Sequence, residues 1–162
     1  MAALRDVDRF RFALVSEGAA AALEFLNAGV PHRYSAVYKV DGGRLKNVLL
    51  HDKVGELRPD FLAEVPFETS FCQFVIRDGH FSTNDSASDR RLDGHPYQGV
   101  MVSYHGVPIL SGSEIWGTLC HFDLVAQALS DEEFELLRQA AGSKPGFLEF
   151  SAPTTEELTL TN

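Results

Sequence analysis

Residues 104–123 constrain the fold of this chain more than any other segment. The sequence from Tyr104 to Asp123 reads YHGVPILSGSEIWGTLCHFD, an apolar run, a turn at Ser111-Gly112-Ser113 and a second run of large and branched residues. Two such runs around a tight turn predict a β-hairpin. Gly117, inside the second run, indicates a bulge or a place where another group comes close to the backbone.

The rest of the chain predicts further strands and helices around this hairpin. The pairs Ser70/Gln73 and Ser130/Glu133 have the form of capping boxes, which mark the starts of helices. Short turns between strands and a long helical excursion in the middle favour a mostly antiparallel sheet with helices packed on it. The predicted elements are helices over about residues 4–28, 58–63, 70–78 and 131–141, and strands over 32–39, 45–51, 81–83, 100–110 and 114–124.

Length and composition predict one globular domain. The 162 residues are enough for one hydrophobic core with a pocket, but not for two independent cores. We assign residues 1–150 to this domain, with its core at 32–124. Residues 151–162 are expected to form a disordered tail.

The charge and hydropathy patterns exclude several classes of protein. A net charge of -9 and a pI near 5.0 argue against a general nucleic-acid surface, which requires a basic stripe. No apolar run reaches the roughly 20 residues that span a bilayer, and Arg5, Asp6 and Asp8 interrupt the region where a signal peptide would be apolar. The expected location is cytoplasmic, where Cys72 and Cys120 would be thiols rather than a disulfide.

Three segments of the chain, in the right order, resemble GAF domains. The hairpin carries a Tyr-x-Gly-x-Pro strand and a Gly-Thr-Leu-Cys-x-x-Asp strand, which are similar to the central hairpin of that family. Ahead of it, Ser70-Phe71-Cys72, the polar run 82–91 and Gly94-His95-Pro96 resemble elements of sensor GAF domains in bacterial signalling proteins. The resemblance covers about residues 20–141 and implies an α+β fold with a central antiparallel sheet of about six strands and helices on both faces.

The resemblance implies a sensor rather than an enzyme. We expect a regulatory domain in signal transduction that binds a small molecule and acts through dimerisation or through a signalling partner protein. A homodimer would form through the terminal helices, because the N-terminal segment, with Phe10, Phe12 and Leu14, is richer in apolar residues than one face requires. Two alternatives stay open. One is an enzyme of the free-methionine sulfoxide reductase type, which uses pocket cysteines for thiolate attack, and the other is a degenerate domain that only dimerises.

The ligand is expected between the sheet and residues 70–97, the side on which related GAF domains hold their ligands. Such a pocket needs apolar walls and a few convergent polar groups. Arg90 with His95 would favour a small anion or a carboxylate, because a guanidinium presents a planar fork of donors to such groups. The candidate ligand-binding residues are Phe71, Cys72, Asn84, Arg90, His95, Tyr104, Cys120 and His121.

Other site chemistries are not expected. Cys120 and His121 are adjacent on a strand, so they point to opposite faces and only one of them can line the pocket; the sequence does not decide which. The histidines of the second half lack the local spacing of a metal site, and we assign no metal, no cofactor and no catalytic residue. Asp85 and Asp89 are expected to act structurally, as a cap and as the partner of an arginine.

Overall fold

The structure, a computed structural model, describes residues 5–143. Its strands are β1 (Tyr34–Asp41), β2 (Arg44–Asp52), β3 (Glu64–Pro66), β4 (Phe81–Thr83), β5 (Ser103–Ser111) and β6 (Glu114–Asp123). They form one six-stranded sheet in the order β3-β2-β1-β6-β5-β4, and every neighbouring pair is antiparallel. The α+β class and the antiparallel sheet are confirmed, whereas the tail expected at 151–162 lies outside the described residues.

Helices cover both faces of this sheet, as predicted. On one side lie α1 (Val7–Glu17), α2 (Ala19–Ala28) and α5 (Asp131–Ala141). On the other lie α3 (Asp60–Ala63), α4 (Cys72–Asp78) and the 3₁₀ turns Phe67–Thr69, Ser86–Ser88 and Arg90–Leu92. Among residues 5–143, no helix is long and apolar enough to cross a bilayer.

Side chains of the central strands alternate between two hydrophobic cores, as the pleat of a strand requires. On the side of α1, α2 and α5, which we call the helix face, Val37 and Leu119 pack against those helices. On the opposite side, the pocket face, Cys120 and Phe122 pack against the segment between β2 and β5. Cys120 therefore lies on the pocket face, and His121 lies on the helix face.

Each predicted capping box makes the hydrogen bond in which the serine hydroxyl accepts from the backbone N–H three residues later. The Ser130 hydroxyl accepts from the backbone N–H of Glu133 at 3.2 Å, and α5 begins at the next residue after Ser130. The Ser70 hydroxyl likewise accepts from the backbone N–H of Gln73 at 3.1 Å, although α4 itself begins at Cys72. Both helix starts follow from side chains that satisfy backbone donors at the N-terminus.

Two glycines fix the backbone, Gly18 between two helices and Gly117 where the sequence predicts a close approach. Gly18 separates α1 from α2 with a φ of 101°, a conformation that side-chain-bearing residues rarely adopt. At Gly117, an added Cβ would lie 2.0 Å from the carbonyl oxygen of Tyr38 on the neighbouring strand. Glycine at this position lets β6 approach β1.

The edge strand β3 is the element that the sequence analysis does not predict. It has three residues, and its register pairs Val65 with Leu45 and Pro66 with Arg44. Its proline has no backbone N–H to donate to a neighbouring strand, and proline inside a sheet is typical of an edge strand.

Candidate functional site

The pocket face encloses a small apolar cavity beneath residues 60–101, which we call the covering segment. The cavity volume is ≈ 30 Å³, room for about two water molecules. None of the described residues that line it carries a charged side chain. Its walls include Tyr38, Phe61, Phe71, Cys72, Tyr97 and Tyr104.

Polar groups at the cavity are already paired with one another. The Cys72 Sγ atom lies 3.2 Å from the Tyr104 hydroxyl oxygen and 3.3 Å from Thr118 Oγ1. The Tyr38 hydroxyl donates to the carbonyl oxygen of Leu62 at 2.8 Å, which joins the sheet to α3. A ligand that makes a polar contact here must share or displace one of these bonds.

Both thiols lie on the pocket face and are neutral at physiological pH. Burial raises the pKa of Cys72, and its hydrogen bonds with Thr118 and Tyr104 offset only part of this effect. Burial raises the pKa of Cys120 still more clearly. Because the thiolate is the nucleophile, neither cysteine is set up for attack in this state.

Phe71 and Tyr104, two of the predicted site residues, meet at the cavity together with Cys72. Their rings pack edge to face with centroids 5.6 Å apart. The ring of His95 packs on Phe71 at 4.7 Å but does not itself line the cavity. Its Nδ1 atom accepts from the backbone N–H of Tyr97, and burial lowers its pKa, so the imidazole is neutral.

Arg90 does not reach the cavity. Its side chain is exposed, and it is the neighbouring Arg91 that forms an ion pair with Asp89, at 2.6 Å. The structure therefore does not bring Arg90 and His95 together as an anion site at the cavity. The clasp predicted for Asp89 is formed, with Arg91 as the partner.

Asn84 and His121 are likewise held away from the cavity. The Asn84 side-chain oxygen lies 2.9 Å from Nε2 of His105, and Nδ1 of His121 lies 2.5 Å from the Ser35 hydroxyl oxygen. His105, Ser35 and His121 all lie on the helix face, because they alternate with pocket-face residues along their strands. Of the eight predicted residues, the cavity walls include Phe71, Cys72 and Tyr104.

Several wall residues are absent from the sequence prediction. Tyr38 follows from alternation once the face of Cys120 is known, because Ala36 pairs with Cys120 in the sheet and Tyr38 comes two residues later. Phe61 lies on the single turn of helix α3 and Tyr97 lies in a turn, and both segments are too short for a periodicity that would place a side chain. Within residues 5–143, no group of three or more His, Cys, Asp or Glu side chains is arranged to hold a metal ion.

Solved structures of similar fold come from proteins of different activities. One is the GAF domain of an Acinetobacter phosphoenolpyruvate-protein phosphotransferase, with TM-score 0.70 and 13% identity over 91% of this chain and 93% of that chain. Another is the type II free methionine-R-sulfoxide reductase from Thermoplasma acidophilum, with TM-score 0.64 and 21% identity over 90% of this chain and 97% of that chain. A third is the chromophore-binding domain of an unusual bacteriophytochrome from R. palustris, with TM-score 0.67 and 13% identity over 88% of this chain and 58% of that chain.

At these identities the structural likeness shows the fold alone, because one fold supports many functions. No curated protein matches the sequence. The family model of the GAF domain, however, matches residues 16–143, which include every strand of the sheet and the cavity. The chain therefore belongs to the GAF domain family.

Proposed function

We propose that this GAF domain is a small-molecule sensor whose ligand binds at the cavity of the pocket face. The observation that carries the proposal is the cavity itself, an apolar space between the sheet and the covering segment with the paired Cys72 and Tyr104 at its wall. Apolar walls with a few placed polar groups are typical of ligand pockets.

The lining favours an uncharged, largely apolar ligand. An ionised group would lose its hydration in this cavity without gaining a charged partner among the described lining residues. A cavity volume of ≈ 30 Å³ has room for about two water molecules, so a ligand of ordinary metabolite size requires the covering segment to move outwards. Within that segment the rings of Phe61 and Tyr97 are in contact, with centroids 6.2 Å apart, and Phe61 is 39% exposed. An entering ligand would separate these two rings.

The signal would leave through the helices of the opposite face. Phe12 and Val15 on α1 are 67% and 79% exposed, and residues three apart share one side of a helix. We propose that this side pairs with α1 of a second copy. Sedimentation equilibrium at micromolar concentration is expected to give a dimer for the natural chain and a monomer for Phe12→Ser; a monomeric natural chain would remove this part of the proposal.

A reductase is the second candidate, because both cysteines of the described residues lie on the pocket face. Besides the enzyme from Thermoplasma acidophilum, two further similar structures are free methionine-R-sulfoxide reductases, from Neisseria meningitidis and Staphylococcus aureus. The raised pKa values of both thiols argue against thiolate attack in this chain. Thiol-dependent reduction of free methionine sulfoxide, abolished by Cys72→Ser, would replace the sensor with an enzyme.

Native mass spectrometry followed by calorimetry tests the sensor. The protein purified under native conditions is expected to carry a small molecule, which is then titrated into the emptied domain. Tyr104→Phe removes the hydroxyl beside Cys72 and should weaken binding several-fold, whereas Arg90→Ala, on the exposed 3₁₀ turn, should leave the affinity unchanged. No bound mass and no heat with a panel of neutral and charged metabolites would contradict the proposal.

A further inference from the structure

Three histidines form a buried cluster on the helix face, beneath the C-terminal end of α2. Ser35, His121 and His105 occupy one row across β1, β6 and β5. His32, just before β1, packs against both histidines, with ring centroids 4.9 Å from His105 and 5.7 Å from His121. The three imidazoles are at most 2% exposed, and none of them lines the ligand cavity.

A chain of hydrogen bonds joins Asn84, His105 and His32 and determines which nitrogen atoms of these rings carry protons. The side-chain oxygen of Asn84 can only accept, so Nε2 of His105 carries a proton, and because burial keeps this imidazole neutral at physiological pH its Nδ1 is bare. That Nδ1 atom then accepts from Nε2–H of His32 at 3.0 Å. Burial keeps His32 neutral as well, and its Nδ1 atom has no hydrogen-bond partner among the described residues.

The cluster also fastens α2 to the sheet through Asn27. The Asn27 amide donates to the Ser35 hydroxyl at 2.8 Å and to the carbonyl oxygen of His32 at 3.1 Å. The Ser35 oxygen in turn lies 2.5 Å from Nδ1 of His121. Asn27, the penultimate residue of α2, is thus tied to two of the histidines, directly through the backbone of His32 and through Ser35 to His121.

Burial and nearby cations disfavour a positive charge on the three imidazoles, and a nearby carboxylate offsets this effect only in part. Burial lowers the pKa of His32 to about 4 and that of His105 to about 3, and burial holds the pKa of His121 well below its usual value. Nearby cations oppose protonation as well, and the carboxylate of Asp123 only partly favours it at His32. The charged groups that act on the cluster are Asp123 at the end of β6, Lys53 after β2 and Arg5 ahead of α1.

We propose that this histidine cluster is a proton-sensitive latch, which holds the end of α2 on the sheet at neutral pH and releases it in acid. A proton added to Nδ1 of His105 would either set two N–H groups against each other across the 3.0 Å contact with His32 or force the His32 proton onto its unpartnered Nδ1, and both outcomes leave a buried N–H group without an acceptor. Asn84 is exposed, so the chain of bonds leads from solvent to this contact. The latch lies on the face opposite the cavity and does not depend on the ligand.

The direction of the pH dependence follows from the lowered pKa values. Imidazoles in the released state take up protons near their usual value of about 6.5, whereas the latched imidazoles resist protonation down to about pH 4 at His32. The stability of the latched state is therefore complete above pH 6.5 and is lost progressively as the pH falls from 6.5 towards 4. Each histidine that gains a proton on release increases the opening constant by up to about tenfold per pH unit.

Hydrogen exchange resolved by segment tests the latch. Between pH 6 and pH 5, after correction for intrinsic exchange, the opening constant of α2 is expected to rise more than tenfold while α5 stays protected. His32→Gln keeps an amide donor towards His105 but cannot titrate. In this variant the rise in the opening constant of α2 should be smaller by up to about tenfold. His80→Gln, an exposed histidine outside the cluster, is the matched control and should behave as the natural chain.

Two outcomes would overturn the latch. One is an opening constant of α2 that does not change over this pH range, or that changes equally in His32→Gln. The other is simultaneous exchange of α2 and α5, which would mean global unfolding. If His32→Gln does not fold, imidazole NMR of the natural chain decides instead: the cluster should show neutral rings with no titration above pH 5.5, and a ring titrating near 6.5 without release of α2 would contradict the proposal.

Discussion

Tyr104 lies directly over Gly106, two residues further along β5. A Cβ atom added at Gly106 would come 2.6 Å from the Tyr104 hydroxyl oxygen and 2.7 Å from its Cε1 atom. The absent side chain leaves the space in which the phenol lies, and the same hydroxyl reaches Cys72. The polar contact at the cavity wall therefore depends on a glycine that does not itself line the cavity.

Gly106→Ala is expected to disturb this arrangement. The new methyl group must displace the ring of Tyr104, which is fully enclosed, and overpacking of this kind costs about 1–3 kcal/mol. Urea unfolding gives the loss of stability, and ligand titration reports the altered wall. The matched control is Gly43→Ala, because a Cβ atom added at Gly43 has no atom within 4 Å. This change should alter the free energy of unfolding little. Equal effects of the two changes would mean that Tyr104 has room to move.

The hairpin, the helix starts and the face-to-face alternation could be predicted from sequence because they depend on neighbours close in the chain. Ser130 and Glu133, for example, are three residues apart, and one hydrogen bond joins them. Which face Cys120 takes could not be predicted, because β6 is buried on both sides from Gly117 to Asp123 and its hydrophobic pattern does not distinguish them. Only the pairing of β6 with β1 and β5 assigns Cys120 to the pocket face.

The histidine cluster shows a second limit of prediction from sequence, which is that contacts between distant parts of the chain cannot be read from local patterns. His32 and His105 are 73 positions apart in the sequence, and a contact of this separation depends on the strand order of the whole sheet. Arg90 shows the reverse case: this basic residue lies in the segment predicted to cover the pocket, but its side chain is exposed, and the neighbouring Arg91 forms the ion pair with Asp89. Local sequence identifies the segment that covers the cavity but not the side chains that enter it.

The buried thiols give a prediction that separates the sensor from the reductase. Because burial raises the pKa values of Cys72 and Cys120, neither thiol should react with Ellman's reagent in the native protein at pH 7.5 on the time scale of mixing. Both should react at once in urea. Rapid labelling of one thiol in the native state would indicate an accessible thiolate and would favour the enzyme.

Arg5 is expected to stabilise the contact between α2 and α5. Its guanidinium donates to both carboxylate oxygens of Glu133, at 2.7 and 3.0 Å, and to the carbonyl oxygens of Phe25 and Leu26, at 2.9 and 3.1 Å. Arg5→Ala leaves these partly buried acceptors unpaired, so the free energy of unfolding should fall by about 1–3 kcal/mol.

The control for Arg5 is Arg138→Ala. Arg138 pairs with Glu135 on α5 at 2.5 Å, but both side chains are largely exposed, and such pairs contribute little. Thermal unfolding should show a clear decrease in the midpoint for Arg5→Ala and no measurable change for Arg138→Ala. The reverse order would mean that the helix layer does not depend on this clasp.

The ion pair between Asp89 and Arg91 predicts a pH dependence of its own. The hydrogen bond from Arg91 lowers the pKa of Asp89 to about 2. A carboxyl whose pKa is lowered on folding contributes stability that is complete above its usual pKa of about 4 and is lost as the pH falls towards 2. Asp89→Asn should therefore destabilise the domain at pH 7 by about 1 kcal/mol, a value discounted because Arg91 is 59% exposed. The difference in stability from the natural chain should vanish below pH 2.

Asp78→Asn is the control: it removes the partner of Arg77 from an exposed ion pair and should leave the unfolding midpoint unchanged at every pH. A difference at Asp89 that persists unchanged at pH 2 would show that the charge pair with Arg91 is not what stabilises the covering segment, since Asn keeps an oxygen that can accept the capping bond from the Arg91 backbone.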